Sequence, residues 1–182
     1  MTQQAPASGG DALDFREEIL AFIARPVYPY LVTTTAAGAP YLRPVICVND
    51  GFRVRMITRL ASKKVRHIRR NPLVSLFWAG VEGAPPRSVM LQARVELSTD
   101  AEAIAAFAAD YARKNPSRTR ALPTGEDGTP RVILDATPLL VRADGFRGFR
   151  PVILRAAALL DAADDVADDA ADDAADGDGP RA

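Results

Sequence analysis

Short β-branched and aromatic runs, joined by turns too tight for a helical crossover, limit what this chain can fold into more than any other feature. Residues 28–35 form one such run, and Ala36-Ala37-Gly38-Ala39-Pro40 reads as the turn that ends it. Residues 41–48 make a second strand, Asn49-Asp50-Gly51 is a tight hairpin signal, and residues 52–58 make a third. In that third strand Phe52, Val54 and Met56 alternate with Arg53 and Arg55, as a sheet with one buried face requires. Further strands are expected over residues 73–78, 88–97 and 131–141, with helices over 11–25, 62–70 and 99–113. After the first helix the order is β-β-β-α-β-β-α-β. That order argues against a parallel doubly wound sheet. It predicts a mainly β, α+β fold: a six-stranded antiparallel β-barrel with flanking helices.

The two ends differ from the middle. Residues 1–10 are small and polar and are expected to be disordered, residues 11–155 form the folded domain, and residues 156–182 are an acidic Ala/Asp low-complexity tail. The formal net charge of zero over 182 residues conceals a segregation, because nine Asp and one Arg lie from Asp161 onward. The remainder therefore carries +8, and residues 53–70 hold eight basic residues and no acidic one. That block matches the whole excess.

Several classes drop out. The longest uncharged stretch, residues 26–42, contains three prolines and cannot cross a bilayer as a helix. Residues 1–10 lack the basic and apolar regions of a secretory signal. A single cysteine, Cys47, excludes an intramolecular disulfide, and with the single histidine it cannot make a zinc site unaided. The expectation is a cytoplasmic protein without a metal or a membrane partner. No Gly-x-Gly-x-x-Gly or Walker-type loop occurs. His67, among arginines, reads as a solvated helix residue, and Cys47 as a small core residue on a strand.

The informative segment runs from Thr58 through Ser62, Lys63 and Lys64 to Asn71-Pro72. It reads as a strand end, a short loop and a helix capped by Ser62. Lys63 and Lys64 then sit at the positive end of the helix dipole, where a cation costs roughly 0.3–1 kcal/mol unless an anion is present. The chain has only three Lys against twenty Arg, and two of the three are here. Free backbone N–H groups, two ammonium groups and two hydroxyls make a phosphate cradle. Arg43, inside the apolar strand Tyr41-Leu42-Arg43-Pro44-Val45-Ile46, is a second candidate, because a half-buried guanidinium needs a partner.

Together these residues carry a resemblance. Tyr30-Leu31-Val32-Thr33-Thr34, Gly38, Pro40 and Arg43-Pro44-Val45, then Ile57-Thr58, Ser62-Lys63-Lys64 and Asn71-Pro72-Leu73-Val74-Ser75-Leu76, are similar to the pyridoxamine 5′-phosphate oxidase-like, FMN-binding split-barrel family. Arg87-Ser88-Val89-Met90 and Ala93-Arg94-Val95-Glu96 extend the similarity, which covers about residues 28–110. The resemblance implies a split-barrel homodimer with FMN bound between subunits. It implies that Arg43, Pro44 and Val45 line the flavin ring, and that Ile57, Thr58, Ser62, Lys63 and Lys64 hold ribityl and phosphate groups. Ser88 stands where the family commonly has a Gln near the ring. After Arg131 the chain offers Asp144-Gly145-Phe146-Arg147-Gly148-Phe149-Arg150-Pro151, without the Trp and His of the true oxidase's substrate segment. The implied activity is hydride transfer between FMN and a small molecule other than pyridoxamine 5′-phosphate, with no catalytic side chain required. An F420-dependent reductase is one alternative. A nucleic-acid-binding module using residues 53–70 is another, disfavoured because the strand and helix arginines need not share a face.

Overall fold

A computed structural model describes residues 15–25, 28–80, 86–116, 122, 124–125 and 127–159. The expected disordered N-terminus and the acidic repeat from Asp161 lie outside them. Among the described residues three α-helices, α1 (Arg16–Ile23), α2 (Lys63–Arg70) and α3 (Ala101–Lys114), accompany eight strands. The strands are β1 (Tyr30–Thr34), β2 (Pro40–Pro44), β3 (Cys47–Asp50), β4 (Arg53–Arg59), β5 (Leu73–Ala79), β6 (Ser88–Ser98), β7 (Arg131–Arg147) and β8 (Arg150–Arg155). All ladders are antiparallel, in the order β2-β1-β5-β6-β7-β4-β3, with β8 also on β7.

Two expectations about strand number are corrected. The single strand expected over residues 41–48 is divided after Pro44, which has no N–H for a ladder. Val45 then donates its N–H to the carbonyl of Pro29 at 3.0 Å. Only Val45 and Ile46 separate β2 from β3, yet these strands are the two ends of the strand order. Three extended residue steps reach about 10 Å, so the two sheet edges must come close. The sheet is strongly curled but open, because no ladder among the described residues joins β2 to β3. The mainly β, antiparallel α+β fold is as expected, with eight strands in an open sheet in place of six in a split barrel.

The second correction is β8. For the tail the sequence predicts either a frayed helix continuing from residues 152–160 or disorder. Instead β7 continues to Arg147, turns through Gly148 and Phe149, and pairs back with β8, which ends in a short 3-10 helix, Ala156–Ala158. Gly145 makes the path possible. It has φ +82°, and a Cβ there would lie 2.6 Å from the Pro86 carbonyl oxygen.

The curled sheet encloses the main core, which includes Leu31, Phe52, Val54, Met56, Leu76, Leu91, Leu134, Val141 and Leu154, with Val65 and Ile68 contributed by α2. Trp78 is there too, 2% exposed. For a homodimer the sequence suggests Phe77, Trp78 and Met90 as members of the shared face; burial in the core removes Trp78, whereas Phe77 and Met90 point the other way and are half-buried. A second cluster lies on the opposite face of β3, β4 and β7, where Ile104, Phe107 and Tyr111 of α3 cover Val48 and Ile133. The cap of α3 is Asp100, whose carboxylate accepts from Ala103 N–H at 2.8 Å. No described helix is long and apolar enough to cross a membrane.

Candidate functional site

The candidate site is built where the curl brings β2, β1 and β4 beneath one helix. Helix α2 begins at Lys63, as the sequence predicts, with Ser62 in extended conformation at the cap position. The Ser62 hydroxyl does not cap. It is buried and has no hydrogen-bond partner. That corrects its expected role and leaves a buried donor and acceptor beside the first turn of a helix whose first turn holds no acid.

Hydrogen bonds tie the helix to both sides of the seam. Lys64 Nζ donates to Thr58 Oγ1 on β4 at 2.9 Å. On the other side, His67 Nδ1 lies 2.9 Å from Thr33 Oγ1 on β1. Thr33 also accepts from Arg43 Nη2 at 2.7 Å, and the same Arg43 nitrogen reaches the Tyr41 carbonyl at 3.2 Å. The Arg43 guanidinium stands 4.2 Å above the Tyr41 ring, and that ring meets His67 edge to face at 5.8 Å. Arg43 Nε is buried without a partner.

The electrostatics of this cluster are one-sided. Burial, and then the Arg43 charge, push the Lys64 ammonium below its ordinary pKa. Burial likewise lowers that of Arg43, against a smaller opposing effect of Tyr41. His67 is held below 6.5 by burial and by Arg43, Arg66, Arg70 and Lys63. Among the described residues, none of Arg43, Lys63, Lys64, Arg66, Arg69 and Arg70 forms an ion pair with a carboxylate. A cluster of cations with no counter-charge among the described residues, plus two buried polar atoms with no partner, fits an anionic ligand.

The remaining candidate residues are placed less uniformly. Pro44 is exposed at the end of β2, whereas the Val45 side chain is buried in the main core. Ile57 packs against the second cluster beneath α3, on the face opposite Met56. Ser88 is not brought to the cluster within this chain. It pairs with Asp144 and Ala79, whereas Gln92 is the β6 residue in line with Val32 through Ser75. Those four steps along β6 amount to about 13 Å.

Thr33, Tyr41 and His67 were not singled out as site residues, and His67 was read as solvated. His67 lies one helical turn after Lys63, on the same face, and that spacing was the available signal. Cys47 is half-buried against the core, and burial pushes its thiol up to about 12. An inert packing role follows.

The model of a family described as pyridoxamine 5′-phosphate oxidase matches residues 15–143. No curated protein matches the chain. Among solved structures, one titled F420 reductase is 23% identical, covering 66% of this chain and 93% of that one with a TM-score of 0.56. A putative pyridoxamine 5′-phosphate oxidase from Listeria innocua is 16% identical, covering 71% and 97% with a TM-score of 0.56. A heme binding protein from Mycobacterium smegmatis is 18% identical, covering 86% and 61% with a TM-score of 0.61. At such identities the likeness speaks for the fold alone.

Proposed function

This chain belongs to the pyridoxamine 5′-phosphate oxidase-like family, and on that premise we propose that it is a cytoplasmic FMN-binding oxidoreductase, working as a homodimer on a small molecule. The observation that carries the cofactor reading is the uncompensated cluster at α2, with Arg43 Nε and Ser62 Oγ buried and unpartnered. FMN would supply acceptors to both atoms, its phosphate to Ser62 and its ring to Arg43, and a counter-charge that the described residues do not provide.

In this reading Lys63, Lys64, Ser62 and the first N–H groups of α2 hold the phosphate, and Thr58 faces the ribityl chain. Arg43 and the backbone of Pro44 and Val45 lie along the ring. Ile57 contributes only backbone, since its side chain is committed beneath α3. FMN, when bound, supplies the hydride acceptor or donor. The protein binds it, orients it and places a permanent positive charge from Arg43 beside it. No side chain is asked to carry a proton.

The dimer reading rests on the outer face of β1, β5, β6 and β8, which no described helix covers. Tyr30, Leu73 and Ile153 are exposed there, beside half-buried Val32, Phe77 and Met90. Tyr30, Phe77 and Met90 follow one another across the sheet there, an apolar row of the kind that marks an interface. Light scattering should give roughly 39 kDa, twice the 19.5 kDa of one chain.

The absorbance spectrum of the purified protein, with mass spectrometry of the released cofactor, tests the function. FMN gives two bands, including a yellow one, and identifies the flavin reading. One dominant near-visible band identifies the deazaflavin F420, the alternative that the fold likeness to an F420 reductase keeps in view. A colourless protein that takes up neither cofactor sinks both.

A further inference from the structure

The cluster contains a chain of donors and acceptors with only one consistent proton arrangement. Arg43 can only donate, so Thr33 Oγ1 accepts from it at 2.7 Å. Thr33 is 1% exposed, and its own hydroxyl proton needs an acceptor. His67 Nδ1, at 2.9 Å, is the acceptor on offer. His67 is therefore neutral with its proton on Nε2. The same imidazole supports the Tyr41 ring, over which the Arg43 guanidinium is stacked. Arg43 is thus fixed from two directions, and both lead to His67.

We propose that His67 is a positioning residue that, through Thr33 and Tyr41, sets the Arg43 guanidinium in place for an anionic ligand. This rests on the reading of the cluster as a phosphate-bearing cofactor site and deepens it. Nothing in the proposal requires His67 to touch the ligand. The charged and titratable groups around His67 are Lys63, Arg66 and Arg70 on its own helix, and Arg43 and Tyr41 on β2. A protonated His67 would add a charge to that group and leave the Thr33 hydroxyl proton without its acceptor. The neutral form is the working form.

The chain has one histidine, so a nitrogen-detected NMR spectrum of the imidazole reads this tautomer without overlap. The expected result in the cofactor-free protein near neutral pH is an unprotonated Nδ1. Binding of FMN and of inorganic phosphate is then measured for the wild type, Thr33→Val, His67→Ala and the double variant. Each single change should weaken binding about tenfold, and the double variant should be no weaker than either single, as for two links in one chain. Thr33→Ser restores the hydroxyl and His67→Asn restores an acceptor, and both should bind nearly as the wild type does. A proton on Nδ1, single variants that bind as the wild type does, or fully additive losses would overturn the proposal. A wild type that binds phosphate but not FMN removes the flavin reading. If Thr33→Val and His67→Ala still lose phosphate affinity, the positioning role stands without it.

Discussion

Arg53 and Arg55 of β4 and the cations around α2 belong to one sequence block, yet the structure treats them oppositely. Arg53 makes a two-pronged pair with Asp135, at 2.9 and 3.1 Å. Arg55 reaches Asp110 at 2.6 Å, and Arg113 holds the other oxygen of the same carboxylate at 2.8 Å. Arg53 thereby fastens β4 to β7, and Arg55 fastens it to α3. Around α2 the described residues provide no such partner. The difference teaches that charge density along a sequence does not identify a binding surface. What sets the α2 region apart is charge that the described residues leave uncompensated, and this separation also weakens the nucleic-acid reading of residues 53–70.

The comparison is broken most directly at the lysines. Lys63→Ala with Lys64→Ala should weaken FMN binding by about 2–4 kcal/mol, Lys64 carrying the larger share because Lys63 is exposed. The cofactor-free protein should lose little stability, since two cations leave a helix N-terminus. Unchanged affinity by fluorescence titration would erase the distinction between the regions.

Arg55→Ala should do the reverse. Its pair is partly buried, and truncation should lower the unfolding free energy in urea by about 1–2 kcal/mol while FMN affinity stays as it was. A matching loss of affinity would mean that the two regions are coupled. Arg53→Ala, at a more exposed pair, should cost under about 1 kcal/mol and leave binding untouched.

The smallest effect concerns pH. His67 is lowered in the folded protein, so the unfolded chain binds more protons once pH falls below about 6.5. Stability should be full above that value and decline below it. In His67→Asn the decline between about pH 7 and 5.5 should be reduced, because the lowered carboxyls of Asp110 and Asp127 titrate below their ordinary 3.8. Identical urea midpoints across that range in the two proteins would remove His67 from the electrostatics of the cluster.

The basic start of α2 was legible because it is local. Strand end, cap position and the first helical residues are consecutive, and helix polarity makes two lysines at that end conspicuous. The spacing from Lys63 could place His67 on the basic face, but not its bond to Thr33, which lies 34 residues away on a strand. The carboxylates that neutralise Arg55 and Arg53 lie 55 and 82 residues away, so no local pattern could separate the two halves of the basic block. Strand β8 was hidden by the alanines that follow it. Val152 and Leu154 do alternate with Ile153 and Arg155, but the helix-favouring run from Ala156 pulled the reading toward a helix. The break after Pro44 could have been taken from the proline itself, which ends a ladder on an edge strand.

Strand β7 has a consequence for how such a chain is made. It pairs with β6 along one edge and shares the other between β4 at its start and β8 at its end. During synthesis β4 and β6 emerge first and wait for the same late segment, and β4 leaves the ribosome more than seventy residues ahead of its partner. Until Arg131 and its successors are exposed, both strands have open hydrogen-bonding edges and core faces with nothing to cover them. Long-range pairing of this kind folds slowly and is most prone to aggregation while incomplete. Nascent chains stalled before β7 should therefore be holdase clients, and chains released after β8 should not.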